Sequence, residues 1–215
     1  MKNPAVFVHK CPLCDSNKWK EHIGVRDWRG SDEVFELHEC QQCGLIVTSP
    51  RPADEVLGGY YPPSAYVSHT NKPKGIFDKV YFEVQKRNLA DKHKKIGRFL
   101  SKGNLLDYGC GAGAFLEFMR ERNWTVTGVE LDSSAASIAS ERIGKKVFSP
   151  ASFQATSNSF DLITLWHVLE HLPNLPERLR EFHQWLKPEA YLFLALPNHR
   201  SSDARNYGKD WAAWD

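Results

Sequence analysis

The sequence predicts an α/β fold, a doubly wound and mostly parallel sheet preceded by a small cysteine-paired module. Three observations carry this. Strand-like apolar runs alternate with helical patterns from about residue 104 to 196. A glycine-rich turn, Asp107-Tyr-Gly-Cys-Gly-Ala-Gly113, joins one of those strands to the next helix. Two Cys-x-x-Cys pairs, Cys11/Cys14 and Cys40/Cys43, stand apart near the N-terminal end.

Taken in order, residues 1–49 are strand-like, with alternation through Glu33-Val-Phe-Glu-Leu-His-Glu39. Residues 50–74 are rich in Pro, Gly and Tyr and read as a connecting loop. From 75 to about 100, Ile76, Val80, Val84, Leu89, Ile96, Phe99 and Leu100 recur near helical spacing, and Gly103 closes the segment. Strands are then expected over 104–108, 125–130, 146–148, 160–168 and 191–196. Helices are expected over 113–122, 133–143 and 176–186, the last with Pro176 in its first turn. Residues 75–215 therefore form one expected domain. Sheets of this class run to further strands, and Tyr207–Asp215 reads as the opening of a continuation, so C-terminal strands are expected to be missing from this chain.

Composition narrows the function. The chain has 215 residues, 41% of them apolar and 25% charged, which suits a globular domain plus a small appendage. A net charge of +2 gives no basic footprint for nucleic acid, which counts against a nucleic-acid partner. No apolar run is long enough for a membrane span, and the first residues lack a signal peptide's apolar core. The expectation is a cytoplasmic protein with reduced thiols. An odd count of five cysteines, with Cys110 inside the glycine loop, fits a disulfide framework poorly.

The glycine turn lets the backbone approach a ligand closely, and the helix start behind it offers unpaired N–H groups. Glu130 ends the next strand, placed to accept hydrogen bonds from ribose hydroxyls. By spacing alone, Gly109, Gly111 and Ala114 also satisfy the dinucleotide fingerprint, with an acid about 20 residues on. The spacing therefore fits both a nicotinamide dinucleotide and S-adenosylmethionine. Asp107 favours the second: an anion two residues before the first glycine is unwelcome beside a pyrophosphate and useful beside an ammonium.

Asp107–Gly113 resembles the first motif of the class I, Rossmann-like S-adenosyl-L-methionine-dependent methyltransferases. Gly128-Val-Glu-Leu-Asp132 resembles their second, Ser159–Leu172 the fourth-strand motif, and Tyr191–Asn198 the fifth-strand motif. The resemblance covers roughly residues 75–198. It implies that Asp107, Gly109, Gly111 and Gly113 hold the methionine end of the cofactor. It further implies Glu130 on the ribose, with Leu131 and Trp166 as further cofactor contacts. Ser149–Phe153 stands where the family contacts adenine but lacks the usual acid.

The cysteine pairs, the second followed by Gly44, read as a zinc ribbon, four thiolates forming the closed set of a structural Zn2+ site. A redox pair is the alternative. With the stretch Tyr60-Tyr-Pro-Pro-Ser-Ala-Tyr-Val-Ser-His69, this end is similar to bacterial small-molecule methyltransferases with a zinc-binding head, some of which modify sugars. That likeness implies that Tyr60, Tyr61, Tyr66 and His69 lie over the cofactor. An aromatic face is worth about 0.5–2 kcal/mol to a cation.

His167 and His171 follow the fourth major strand, at the edge where such sheets bind ligands, and are candidate general bases. His167-Val-Leu-Glu-His171 also resembles the Glu-x-x-Glu-His element that holds a divalent ion in certain RNA and quinone-precursor methyltransferases. Its first position in this chain is His, which changes charge and metal preference. Structural or cofactor-positioning roles are a third reading. Lys92-His-Lys-Lys95 reads as an exposed helix face, and Asn198 and His199 as acceptor-side residues.

The expected function is methyl transfer from S-adenosyl-L-methionine to a small-molecule acceptor. A non-catalytic binding module, a nucleic-acid methyltransferase and an NAD-dependent oxidoreductase are the alternatives.

Overall fold

The computed structural model describes residues 4–28, 31–60 and 76–214. They divide into two compact units: Met1–Pro62 with Leu172–Arg178 and Leu196–Asp215, and Pro63–His171 with Leu179–Ala195.

The first unit is built on short antiparallel strands. β1 (Ala5–Val6) pairs with β5 (Arg51–Pro52), while β2 (Trp19–Arg26), β3 (Val34–Cys40) and β4 (Ile46–Thr48) form a three-stranded sheet. The expected strand over residues 33–39 is β3. Its register runs from Trp19 opposite Cys40 to Arg26 opposite Val34, with one irregular step between Glu21 and Ile23. Val25, Leu37, Ala53 and Ala204 are its buried aliphatic residues, a thin core that two buried cysteines, Cys11 and Cys40, extend. A helical turn, α1 (Asp54–Leu57), and a 3-10 turn (Gly58–Tyr60) close the head.

The second unit opens with α2 (Ile76–Ile96). Its sheet is parallel in the order β7-β6-β8-β9, with β6 at Asn104–Tyr108, β7 at Thr125–Val129, β8 at Phe160–Trp166 and β9 at Leu186–Ala195. Helices α3 (Ala114–Arg120), α4 (Ser133–Ile143) and α5 (Leu175–Trp185) connect the strands. Side chains alternate across a strand. Leu105 and Asp107 of β6 thus share a face, while Leu106 and Tyr108 point to the other.

On the first face Leu105, Leu162 and Val126 pack with Ile96 of α2, Phe115, Leu116 and Met119 of α3, and Ala139 and Ile143 of α4. On the second, Phe182 of α5 is fully buried with its ring 5.2 Å from that of Tyr108. Helices therefore cover both faces, as the doubly wound expectation requires.

Two elements differ from expectation. Residues 146–148 make a single parallel bridge, Val129 to Phe148, rather than a strand. The Glu130 amide donates to the Phe148 carbonyl and the Phe148 amide to that of Gly128, so the segment still lines the edge of β7. β9 begins earlier than expected, at Leu186 opposite Phe160; the register shifts before Leu162 pairs with Tyr191, and Glu189 within that stretch has φ 60°. Among the described residues no helix is long and apolar enough to cross a membrane. A last helix, α6 (Ser202–Tyr207), is capped by Ser201, whose hydroxyl accepts from the Ala204 amide.

Candidate cofactor site and metal site

The site is set by how β6 ends. The Gly109 and Cys110 amides both donate to the carbonyl of Val129, tying the start of the glycine turn to the end of β7. Gly109 has φ 79°, and a Cβ there would stand 2.4 Å from Cγ2 of Val168, so the turn packs directly against the segment after β8. A Cβ on Gly113 would lie 2.8 Å from that of Ala139 on α4, which lets the two helices seat close to the loop. Gly111 is different. Its φ is 53° and nothing stands within 4 Å of a Cβ built on it, leaving open space beside the middle of the loop.

Two buried carboxylates flank this turn. Asp107 is 2% exposed and accepts a 2.7 Å hydrogen bond from Thr164 Oγ1, its register partner on β8. Burial pushes its pKa up to about 6, helped by the Glu130 charge; the Thr164 hydrogen bond and the Lys92 ammonium pull the other way. Glu130 holds the loop itself. Its Oε2 accepts from the Gly111 amide at 2.7 Å, and its Oε1 from the Leu131 and Asp132 amides at 2.8 and 3.0 Å. A carboxylate offers about four lone-pair sites, so about one remains for a hydroxyl. Asp132 caps α4 through the Ala135 amide.

Lys92 contradicts the sequence expectation of a solvated face. Its ammonium lies 4.1 Å from the centre of the Trp166 ring and 5.6 Å from that of Phe115, whose rings meet edge to face. Burial lowers its pKa, and Asp107 opposes that shift. The pattern around it, Lys-His-Lys-Lys, hid this because helical periodicity ranks charged residues as outward. A lysine stem can lie along apolar surface while the head finds a ring face and an anion. The Trp166 face is thus occupied by Lys92.

The remaining expected residues fall as follows. Leu131 is 67% exposed next to Glu130, an apolar side chain beside the loop. His167 has φ 58° and an exposed ring whose Nδ1 stands 3.6 Å from Glu170 Oε1. His171 is half-buried, its amide bonded to the Val168 carbonyl. Tyr60 hydrogen-bonds Glu33 and packs edge-on against Phe35 within the head. Tyr66, with Tyr61 and His69, lies outside the described residues. Cys110 is buried among apolar side chains, and burial with the two nearby carboxylates raises its pKa strongly, so its thiol stays protonated.

The four paired cysteines converge. All four Sγ atoms lie within 4.8 Å of one another, with Cys11 to Cys43 at 3.5 Å and Cys14 to Cys40 at 3.6 Å. A tetrahedral site with metal–sulfur bonds of about 2.3 Å has edges of about 3.8 Å, so the set fits such an ion. The two knuckles have the same geometry. The Asp15 amide donates to the Cys11 carbonyl as that of Gly44 does to the Cys40 carbonyl, with φ of 57° and 75°. Asp15 takes at the first turn the left-handed conformation that Gly44 takes at the second. Backbone amides of Cys43 and Gln42 bring the Cys40 thiol down to about 6, while burial and the neighbouring thiols raise Cys14 and Cys43. Among the described residues these cysteines form the one such group of three or more potential metal ligands, so His167, Glu170 and His171 are not brought together in that way.

A parallel sheet wound on both faces, with a glycine turn and two carboxylates at its strand ends, defines a nucleotide-type cofactor domain. The family model described as a methyltransferase domain matches residues 81–215, well over half of the chain, and the protein belongs to that family. It is 26% identical over 107 residues to the ubiquinone biosynthesis O-methyltransferase of Pseudomonas entomophila, covering 46% of each chain. The enzyme of the same name from Nitrosospira multiformis is 29% identical over 116 residues, covering 50% of this chain and 47% of that protein. The chain thus spans about half the length of these relatives. A SAM-dependent methyltransferase of known structure from Aquifex aeolicus aligns over 46% of this chain and 60% of its own, with a TM-score of 0.41 and 23% identity.

Proposed function

We propose that the protein transfers a methyl group from S-adenosyl-L-methionine to a small-molecule acceptor. The observation that carries this reading is the buried Asp107 carboxylate behind an open glycine turn, with the Lys92 ammonium on the Trp166 face within its field. A buried anion and a half-buried cation within each other's field suit the zwitterion of an amino acid. A pyrophosphate would meet Asp107 as a like charge. In this reading Asp107 takes the cofactor's ammonium and Lys92 its carboxylate. Gly109, Gly111 and Gly113 let the backbone come close, Glu130 takes a ribose hydroxyl, and Leu131 covers an apolar ring. Trp166 acts through Lys92, by holding that ammonium in place; Tyr66 is a further cofactor contact.

When bound, the cofactor supplies an electrophilic methyl group on a sulfonium. The chain's part is to hold and align the reactants and to receive the acceptor's proton. His167 suits the proton-accepting role because its ring is exposed, follows β8 directly and has Glu170 at 3.6 Å beside Nδ1. His171 is the alternative base. The cysteine set holds a structural Zn2+, which requires thiols kept reduced, as in the cytoplasm. The ubiquinone-pathway names belong to relatives that share about half their length with this chain, so the acceptor proposed is a small molecule without further definition.

Titration with S-adenosylhomocysteine tests the reading. The intact chain is expected to bind it, and Asp107→Asn to weaken it by about 1.5–3 kcal/mol, roughly ten- to a hundredfold in Kd. Equal binding by the variant would remove Asp107 from the site.

A further inference from the structure

One cluster of charged and aromatic side chains lies within the head's own unit. Glu39, next to Cys40 on β3, accepts Lys20 at 3.1 Å and stands 3.5 Å from His22 Nδ1. Residues beyond β9 complete it. The His199 and Trp214 rings meet that of His22 edge-on, at 6.2 and 5.6 Å between centres, and Trp211 meets Trp214 at 5.2 Å. Arg200 bonds His199 through Nε, and its Nη2 would stand 3.5 Å from a Cβ on Gly44, the turn residue of the second cysteine knuckle.

The segment meets the head as a preformed piece. Asn198 accepts the Arg200 amide, Arg205 reaches back to the Arg200 carbonyl, Ser201 caps α6, and Trp214 Nε1 donates to the Gly208 carbonyl. Its grip on the head includes His199, Arg200 and Trp214, and the 3-10 turn Gly208–Asp210 lies against β2. Those three meet His22 on β2 and the second knuckle. A divalent ion on four thiolates leaves a net charge of about −2, which a guanidinium beside the knuckle offsets.

We propose that the metal-holding head clamps residues 198–214, so that loading of the Cys11–Cys14–Cys40–Cys43 site governs the order of the segment leaving β9. Without the ion, the knuckle that seats Arg200 and the strand that carries Glu39 lose their tie to Cys11 and Cys14. The head's few buried aliphatic residues then have to hold that geometry alone. The clamp rests on the metal reading above and needs neither cofactor nor acceptor.

Amide exchange on the full chain tests it, after metal analysis of the purified protein. Chelation is expected to speed exchange across 199–214 about tenfold or more, together with 11–48, while 104–129 keeps its protection. Arg200→Ala, with all four cysteines present, is expected to retain the metal and loosen 199–214 alone. Unchanged protection of 199–214 in the metal-free chain would overturn the clamp and leave the metal site standing. A chain that carries no metal as purified would overturn both. An Arg200→Ala chain with wild-type exchange would remove the arginine from the mechanism and, with it, the coupling to the knuckle.

Discussion

The head and the sheet unit solve the same problem by opposite means. The sheet unit buries Leu105, Leu106, Leu116, Met119, Leu162, Ile163 and Leu165 completely, so apolar contact alone can hold it. The head offers little beyond Val25, Leu37 and Ala53, and its most buried side chain is Cys11. Short antiparallel strands with so small a core need a staple, and four convergent thiols supply one. Stability should therefore follow metal in one region and packing in the other.

The largest effect separates them outright. On the proposed zinc reading, Cys40→Ser, or removal of the ion, takes away binding energy on the order of 10 kcal/mol that counts as folding energy for the head. Metal content and near-ultraviolet signals from the head should be lost, while the denaturant midpoint of the sheet unit holds. Loss of both units together would erase the contrast between them. Next, Leu116→Ala should cost the sheet unit about 2–5 kcal/mol, read as a lower urea midpoint with metal content unchanged.

The glycine turn extends the contrast within the sheet unit. At Gly109 a side chain meets Val168 at 2.4 Å and a positive φ as well, so Gly109→Ala should cost about 1–3 kcal/mol and disturb cofactor binding. Gly111→Ala faces open space and only the backbone cost, about 1 kcal/mol. Its loss should appear in cofactor affinity more than in stability; equal losses in both assays at both positions would contradict this split.

The smallest effect is in pH. Asp107 has a native pKa of about 6, above its ordinary value, so ionising it costs the fold. The stability it contributes is present at low pH and is lost as pH rises through about 6. Cofactor binding runs the other way, because the ammonium needs the ionised form. Affinity for S-adenosylhomocysteine should fall as pH drops through about 6, and Asp107→Asn should flatten that dependence.

What the sequence shows well is whatever the backbone spacing determines. Asp107 through Gly113 and the two cysteine pairs are legible because a turn of given length needs its glycines, and a tetrahedral site needs its four thiols. Less legible are side chains whose place depends on a distant element. Lys92 reads as solvated until Trp166 and Asp107 come to meet it. Gly128 passes as an ordinary strand residue until Leu116 and Cys110 are seen 2.7 and 2.9 Å from where its Cβ would stand. Glu130 is legible as an acid at a strand end, but its backbone bonds, one to the loop at Gly111 and two to Leu131 and Asp132, are not. Nothing in the composition of 196–215 reveals that this stretch groups with the cysteine head.

If the glycine turn, Asp107 and Glu130 form a site for S-adenosylmethionine, a thermal shift of the intact chain with S-adenosylhomocysteine, run beside NAD, shows it most directly. Stabilisation by S-adenosylhomocysteine and none by NAD is the expected result; a shift with NAD alone would contradict the assignment.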